Sequence, residues 1–196
     1  MEYVDEKILE ILNEKEKENT PRDIYKDQIR IDNRYYEFEE TYFLEEKLSM
    51  YIPRDFIDMP EEAKNVKYPS VHRPKIIKTD DSGSVNININ PIDNELKEEW
   101  VQELTTGMKG IIQRSNPSSV FYSEGMENVE GKNIGYFEFK SPALDESIYN
   151  LMFFFELEGK TIMGTFCCKF KDYEEWRDIA FQIIKSIRVT EGGQKI

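Results

Sequence analysis

Ser84-Val85-Asn86-Ile87-Asn88-Ile89-Asn90 alternates apolar and polar residues without a break. Successive side chains of a strand point to opposite faces, so Val85, Ile87 and Ile89 share one face and the asparagines share the other. This run reads as a half-buried β-strand. Asp80-Asp81-Ser82-Gly83 precedes it as a turn, because glycine takes positive φ and short polar side chains bond their own backbone. A short strand over residues 75–78 lies on the far side of that turn. One apolar face calls for a covering layer, and helical stripes elsewhere in the chain supply it.

After the decisive strand, Asp93 or Asn94 is placed to cap a helix running to about Gln113. Leu96, Trp100, Leu104, Met108, Ile111 and Ile112 form its apolar stripe. Four strands follow at about 119–127, 133–140, 148–157 and 161–170, separated by turn residues such as Gly131 and Gly159. Residues 148–157 are apolar on nearly both faces, which marks the best candidate for a central strand. Asp172-Tyr173-Glu174-Glu175 reads as a capping box opening the last helix. That helix has Trp176, Ile179, Ala180, Ile183 and Ile187 as its stripe, and Arg188-Val189-Thr190 returns as a short strand.

Before the decisive strand, residues 35–44 alternate Tyr36, Phe38, Tyr42 and Leu44 with polar side chains. Leu48, Met50 and Ile52 alternate after a turn at Glu45-Glu46, which gives a hairpin stopped by Pro53. Residues 54–73 read as irregular, with one helical turn near 61–65. Residues 3–18 read as an amphipathic helix with Val4, Ile8, Ile11 and Leu12 on one face. The predicted organisation is an amphipathic helical arm over 1–32, a single α+β domain over 33–190 and a tail over 191–196. The fold class is α+β, a largely antiparallel β-sheet flanked by helices.

Composition narrows function. Twelve Phe, eleven Tyr and two Trp give the 196-residue chain enough bulk for a core despite 33% charged residues. The net charge of −13 repels phosphate backbones and anionic lipid heads, so neither nucleic acid nor membrane is expected as a partner. The N-terminus has no basic region followed by an apolar one, so no secretory signal is read there. Cys167 and Cys168 are adjacent and cannot staple distant parts of the fold together; both are expected reduced and partly buried. These features suit the cytoplasm.

No chemical constellation assembles. Gly159-Lys160-Thr161 echoes a phosphate loop, but Phe154 stands where the first glycine belongs, and a hairpin turn explains the tripeptide. His72 is the only histidine, and its spacing to Ser70 and Asp80 makes no triad. One His and two adjacent Cys are too few for a zinc site. No catalytic residue, metal or cofactor is expected. The unusual feature is a window free of acids: Lys64, Lys67, His72, Arg73, Lys75 and Lys78 lie between residues 64 and 79. They are read as a loop meeting an acidic protein partner or an anion. The alternative is a solvated loop balancing nearby glutamates.

Taken together, the hairpin ending Tyr51-Ile52-Pro53-Arg54-Asp55-Phe56, then Tyr68-Pro69-Ser70 and Arg73-Pro74, resemble the DcrB/PsbP-like superfamily. So do the strand after Asp81-Ser82-Gly83, the long helix, and Phe166-Cys167 leading to Trp176 and Ile183-Ile184-Lys185-Ser186-Ile187. The likeness covers about residues 33–190. It implies an α/β/α sandwich whose members bind other proteins and share no catalytic motif. They include a photosystem extrinsic subunit, a nuclear-import factor that binds a small GTPase, and exported bacterial proteins. The expected function is a non-enzymatic protein-binding or scaffold domain. The alternatives are a small-ligand pocket between sheet and helix, and an enzyme with an unrecognised site.

Overall fold

The computed structural model describes residues 22–26 and 28–190. Its element order is β1 (Ile29–Ile31), β2 (Arg34–Tyr36), β3 (Phe38–Phe43), β4 (Leu48–Pro53), β5 (Ile57–Asp58), α1 (Glu61–Lys67), β6 (Ile76–Thr79) and β7 (Asn86–Glu95). Then come α2 (Val101–Ser115), β8 (Val120–Val129), β9 (Lys132–Ser141), β10 (Ile148–Leu157), β11 (Lys160–Lys169), α3 (Tyr173–Lys185) and β12 (Arg188–Val189). The expected helix over 3–18 and the tail lie outside the described residues.

Seven strands form one antiparallel sheet in the order β5-β6-β7-β11-β10-β9-β8. The last four are the strands expected downstream, and β10 is interior as its apolar pattern requires. Leu151, Phe153 and Phe155 of β10 join the larger core cluster on one face. Met152 and Phe154 join Phe137 and Phe139 in a smaller cluster on the other. α3 packs on the first face with Trp176, Ile179, Ala180, Ile183 and Ile184 buried. α2 packs on the second, against β9 and β10.

The expected hairpin forms, but as part of a separate three-stranded sheet ordered β12-β4-β3 that shares the α3 layer. Trp176 bridges the large sheet and the two-stranded β1-β2 ribbon, edge-on to Tyr36 of β2 at 5.1 Å and tilted against Phe166 of β11 at 5.6 Å. The expected inward Tyr42 is exposed and Phe43 is buried instead. Phe43 pairs with Leu48, whose face is the apolar one, so the partner strand sets which neighbour turns inward. The turn holds Leu44, Glu45 and Glu46 at φ of 53°, 57° and 64°, three consecutive left-handed residues without a glycine. Residues 22–26 and 28–32, expected as part of the arm, pack with the domain, for Ile24, Ile29 and Ile31 are buried.

Three expectations are corrected. The decisive strand is covered on both faces, because Asn86 and Asn88 are as buried as Ile87 and Ile89. It also continues to Glu95 instead of yielding to a helix at Asp93 or Asn94, because β11 pairs it as far as Lys160 across a bulge. Pro91 is tolerated because β6 pairs no further than Ile89, which leaves that flank without a ladder to break. The helix therefore starts at Val101, and its buried stripe is Val101 and Thr105 with Leu104, Met108 and Ile112 half-buried. Trp100, at 43% exposure, and Ile111 face solvent. Finally, Asp172 caps α3 without a side-chain hydrogen bond, so the capping box does not form.

Gly135 lets α2 approach the sheet, and Gly164 makes room for the ring of its cross-strand partner Phe153. A Cβ on Gly135 would sit 2.0 Å from Thr105 Oγ1 of α2, and one on Gly164 would sit 2.0 Å from Phe153 Cζ. Gly164→Ala is expected to destabilise by about 1–3 kcal/mol by displacing Phe153. Gly107→Ala, in open space on α2, should stabilise by about 0.5–1 kcal/mol. Urea midpoints of the two variants check both signs.

Candidate functional site

The acid-free window folds into a segment that crosses the sheet at β6 and β7. Lys64 and Lys67 sit on α1, and His72 and Arg73 sit in a turn where Arg73 N–H reaches the Ser70 carbonyl at 3.2 Å. Lys78 lies on β6. Space supplies the acids that the window lacks. Glu61 pairs with both Lys64 and Arg73 at 2.8 Å, and Asp58 pairs with Lys78 at 3.0 Å. Arg73 also donates to Asn65 Oδ1, and Lys67 donates to the Gly83 carbonyl. Lys75 is close enough to Asp93 to help Lys160 hold that carboxyl low. His72 is exposed, as are Val66 at 84% and Val71 at 92%.

Tyr68 fastens this segment to the asparagine face. Its hydroxyl lies 3.2 Å from Asn88 Nδ2 and 3.9 Å from Cys167 Sγ. Asn86 Nδ2 donates towards Cys167 Sγ at 3.8 Å and to the Gly83 carbonyl at 3.3 Å. Burial pushes the Cys167 thiol and the Tyr68 hydroxyl up, so both stay neutral. Both cysteines are buried free thiols. Asp80 is a turn residue: its Oδ1 accepts from Val85 N–H at 2.9 Å and its Oδ2 from the Ser82 hydroxyl. Gly159 follows Glu158 at positive φ in the β10–β11 hairpin, so the phosphate-loop echo is a turn.

Sequence reasoning missed a second cluster on the α3 side. Glu138 of β9 is fully buried. Arg177 of α3 clasps it with Nε and Nη2, each at 2.8 Å, Tyr149 donates at 2.7 Å, and Ser123 donates as well. Burial by itself would raise this carboxyl, but the bonds from Arg177, Ser123 and Tyr149 outweigh it and hold the group below the usual carboxylate range. Burial and the Glu138 charge push the Tyr149 hydroxyl up. A general acid or base needs a pKa near the working pH; this carboxylate is locked as an anion. The only sequence signal was one glutamate among the aromatics of β9.

Beside this clasp an open groove of about 480 Å³ is lined by Arg22, Tyr136, Arg177, Phe181 and Lys185, among others. Gln182 fixes its upper rim, accepting from Ile24 N–H at 3.0 Å and donating to the Arg22 carbonyl at 2.8 Å. Among the described residues no group of three or more His, Cys, Asp or Glu is arranged to hold a metal ion. No helix among them is long and apolar enough to cross a membrane.

No protein-family model matches this chain, and no curated protein sequence matches it. Among solved structures, the cyanobacterial PsbP protein (CyanoP) of Synechocystis sp. PCC 6803 superposes with a TM-score of 0.57, covering 78% of this chain and 92% of that one. The chain has a PsbP-like fold. LpqN of Mycobacterium tuberculosis, described as involved in cell envelope biogenesis, superposes with a TM-score of 0.51 over 82% of this chain and 95% of its own. Identity is 10% in both cases, so the PsbP-like likeness is one of architecture.

Arg177→Ala leaves Glu138 charged and buried, and is expected to cost about 3 kcal/mol, the low end for a broken buried pair because Arg177 is partly exposed. Because its folded pKa is lowered, Glu138 contributes stability above the ordinary carboxyl value of about 4.3. That stability is lost as pH falls through the folded value. Glu138→Gln should therefore flatten the acid limb of stability, read by urea unfolding between about pH 7 and pH 3.

Proposed function

We propose that the chain is a protein-binding or scaffold domain rather than an enzyme. The observation that carries this reading is the outer surface of residues 61–75. α1 buries none of its side chains. Val66 and Val71 stand almost fully in solvent beside Lys67, His72 and Lys75. Single exposed apolar residues are common on any surface. Two of them among bases, on a segment pinned beneath by Tyr68, present a fixed amphipathic face. Such a face suits a partner with apolar side chains ringed by carboxylates.

The saturated Glu138 anion supports a structural rather than a catalytic role for the most buried carboxylate. The net charge of −13 supports partners other than nucleic acid or anionic membrane. Two buried free thiols suit a reducing compartment, which favours the cytoplasm. A second reading, small-ligand binding, draws on the groove beside α3, where Tyr136 and Phe181 meet edge to face at 5.0 Å under Arg177.

In pull-downs from native cells, the Val71→Asp/Lys75→Glu double variant should lose a partner that the wild type retains, with an unchanged melting temperature. Retention of every partner would sink the reading of this face. For the groove, small aromatic carboxylates should raise the wild-type melting temperature and leave that of Arg22→Ala/Lys185→Ala unmoved. A screen in which none of them stabilises the wild type removes the second reading.

A further inference from the structure

Strand β3 is an edge. Among the described residues it pairs with β4 alone, in an unbroken register from Phe38↔Pro53 to Phe43↔Leu48. The direction of its main-chain groups can be fixed. Arg54 N–H donates to the Glu37 carbonyl at 2.8 Å, so residues 37, 39, 41 and 43 turn their backbone groups towards β4. The far side of β4 agrees. Thr190 N–H meets the Lys47 carbonyl and Tyr51 N–H meets Ser186 Oγ, which places the odd residues of β4 away from β3. The N–H and C=O groups of Phe38, Glu40 and Tyr42 therefore point outward along the edge.

The two edges of the large sheet are guarded. β8 ends the large sheet, but a bulge interrupts it between Phe121 and Glu124. Its Glu124 and Glu127 are bound to Lys109 and Lys185. At the other end, the short β5 already covers β6. Bulges and very short strands are common ways of closing an edge to strangers. β3 has neither device.

Its charge is one-signed. Glu37, Glu39, Glu40, Glu45 and Glu46 are all exposed along the strand and its turn. Among the described residues, their ion pairs are with Arg54 only, which reaches Glu37 at 3.3 Å and Glu39 at 3.5 Å. Strand alternation puts Glu37 and Glu39 on one face and Glu40 on the other. Tyr35 just before the strand and Tyr42 within it are exposed as well. At its start a groove of about 400 Å³ is lined by Gln28, Tyr35, Glu37, Arg54 and Asp55. Bonds from Gln28 and Arg54 hold the Glu37 carboxyl below its usual range, so it is an anion at neutral pH.

We propose that the β3 edge is a strand-addition site for an extended, lysine- or arginine-bearing segment of a partner protein. A second copy of this chain would bring glutamates against glutamates, which the same edge rejects. A basic strand gains main-chain bonds from Phe38, Glu40 and Tyr42, and its side chains meet carboxylates on both faces. The site rests on the reading of the chain as a binding domain, but uses a face different from residues 61–75, so the two fail separately.

The test uses the full chain and two labelled, end-capped octapeptides, one alternating lysine with valine and the other glutamate with valine. Fluorescence anisotropy at low salt should show the lysine peptide binding at least about tenfold tighter than the glutamate peptide, with affinity falling as salt rises. Proline is tolerated on an edge where the N–H faces solvent. Tyr42→Pro should thus remove one outward donor and weaken binding about tenfold, while Tyr42→Val stays within about threefold of wild type. Glu37→Gln/Glu39→Gln should weaken binding and flatten its salt dependence. In wild type, amide exchange should slow at Phe38, Glu40 and Tyr42 on adding the lysine peptide, a readout that does not depend on the proline variant folding. Equal binding of both peptides, binding of neither, or unchanged exchange at those amides overturns the proposal.

Discussion

A strand that is greasy on both sides cannot rest at a surface. β10 presents Leu151, Phe153 and Phe155 to one layer and Met152 and Phe154 to another, all of them buried. That single constraint asks for neighbours on both flanks and cover on both faces. β9 and β11 meet the first demand with long antiparallel registers. α3 with the small sheet meets half of the second, and α2 meets the rest. At about 1.5–3 kcal/mol for each large apolar side chain removed from water, these few residues outweigh any polar contact in the molecule.

Much of this was legible in advance, because periodicity depends on local geometry. The four downstream strands, the α3 stripe and the early hairpin all follow from spacings of two or three to four residues. What the residues could not declare was which partner would arrive from far along the chain. The helix at Asp93 was a sound reading of a capping residue, overridden because β11 still had backbone groups to pair with β7. The asparagines read as solvent-facing because nothing local announces that Tyr68 will lie across them. Tyr42 and Phe43 exchanged roles because register is fixed by Leu48 and Met50 on the other strand.

The site was less legible than the fold for the same reason. A window of sequence without acids looked polarised, yet Asp58 and Glu61 fold back from just outside it and pair with three of its five charged bases, Lys64, Arg73 and Lys78. Linear charge density is a poor guide to local potential when a hairpin or a turn of helix can return the counter-charge. The Arg177–Glu138 clasp shows the reverse case: two residues 39 apart in the chain form one of the most constrained ion pairs in the molecule.

Cys167 and Cys168 are neighbours in the chain but not in their surroundings. Strand geometry sends Cys168 into the large apolar cluster and Cys167 to the polar layer near Asn86 and Tyr68. One peptide bond thus joins a buried polar layer to a buried apolar one. Each sulfur reacts with an alkylating reagent only when its own side loosens, since burial keeps both thiols protonated. The chain carries a paired breathing gauge, in which the ratio of labelling at the two sulfurs tells which side of the sheet opened first.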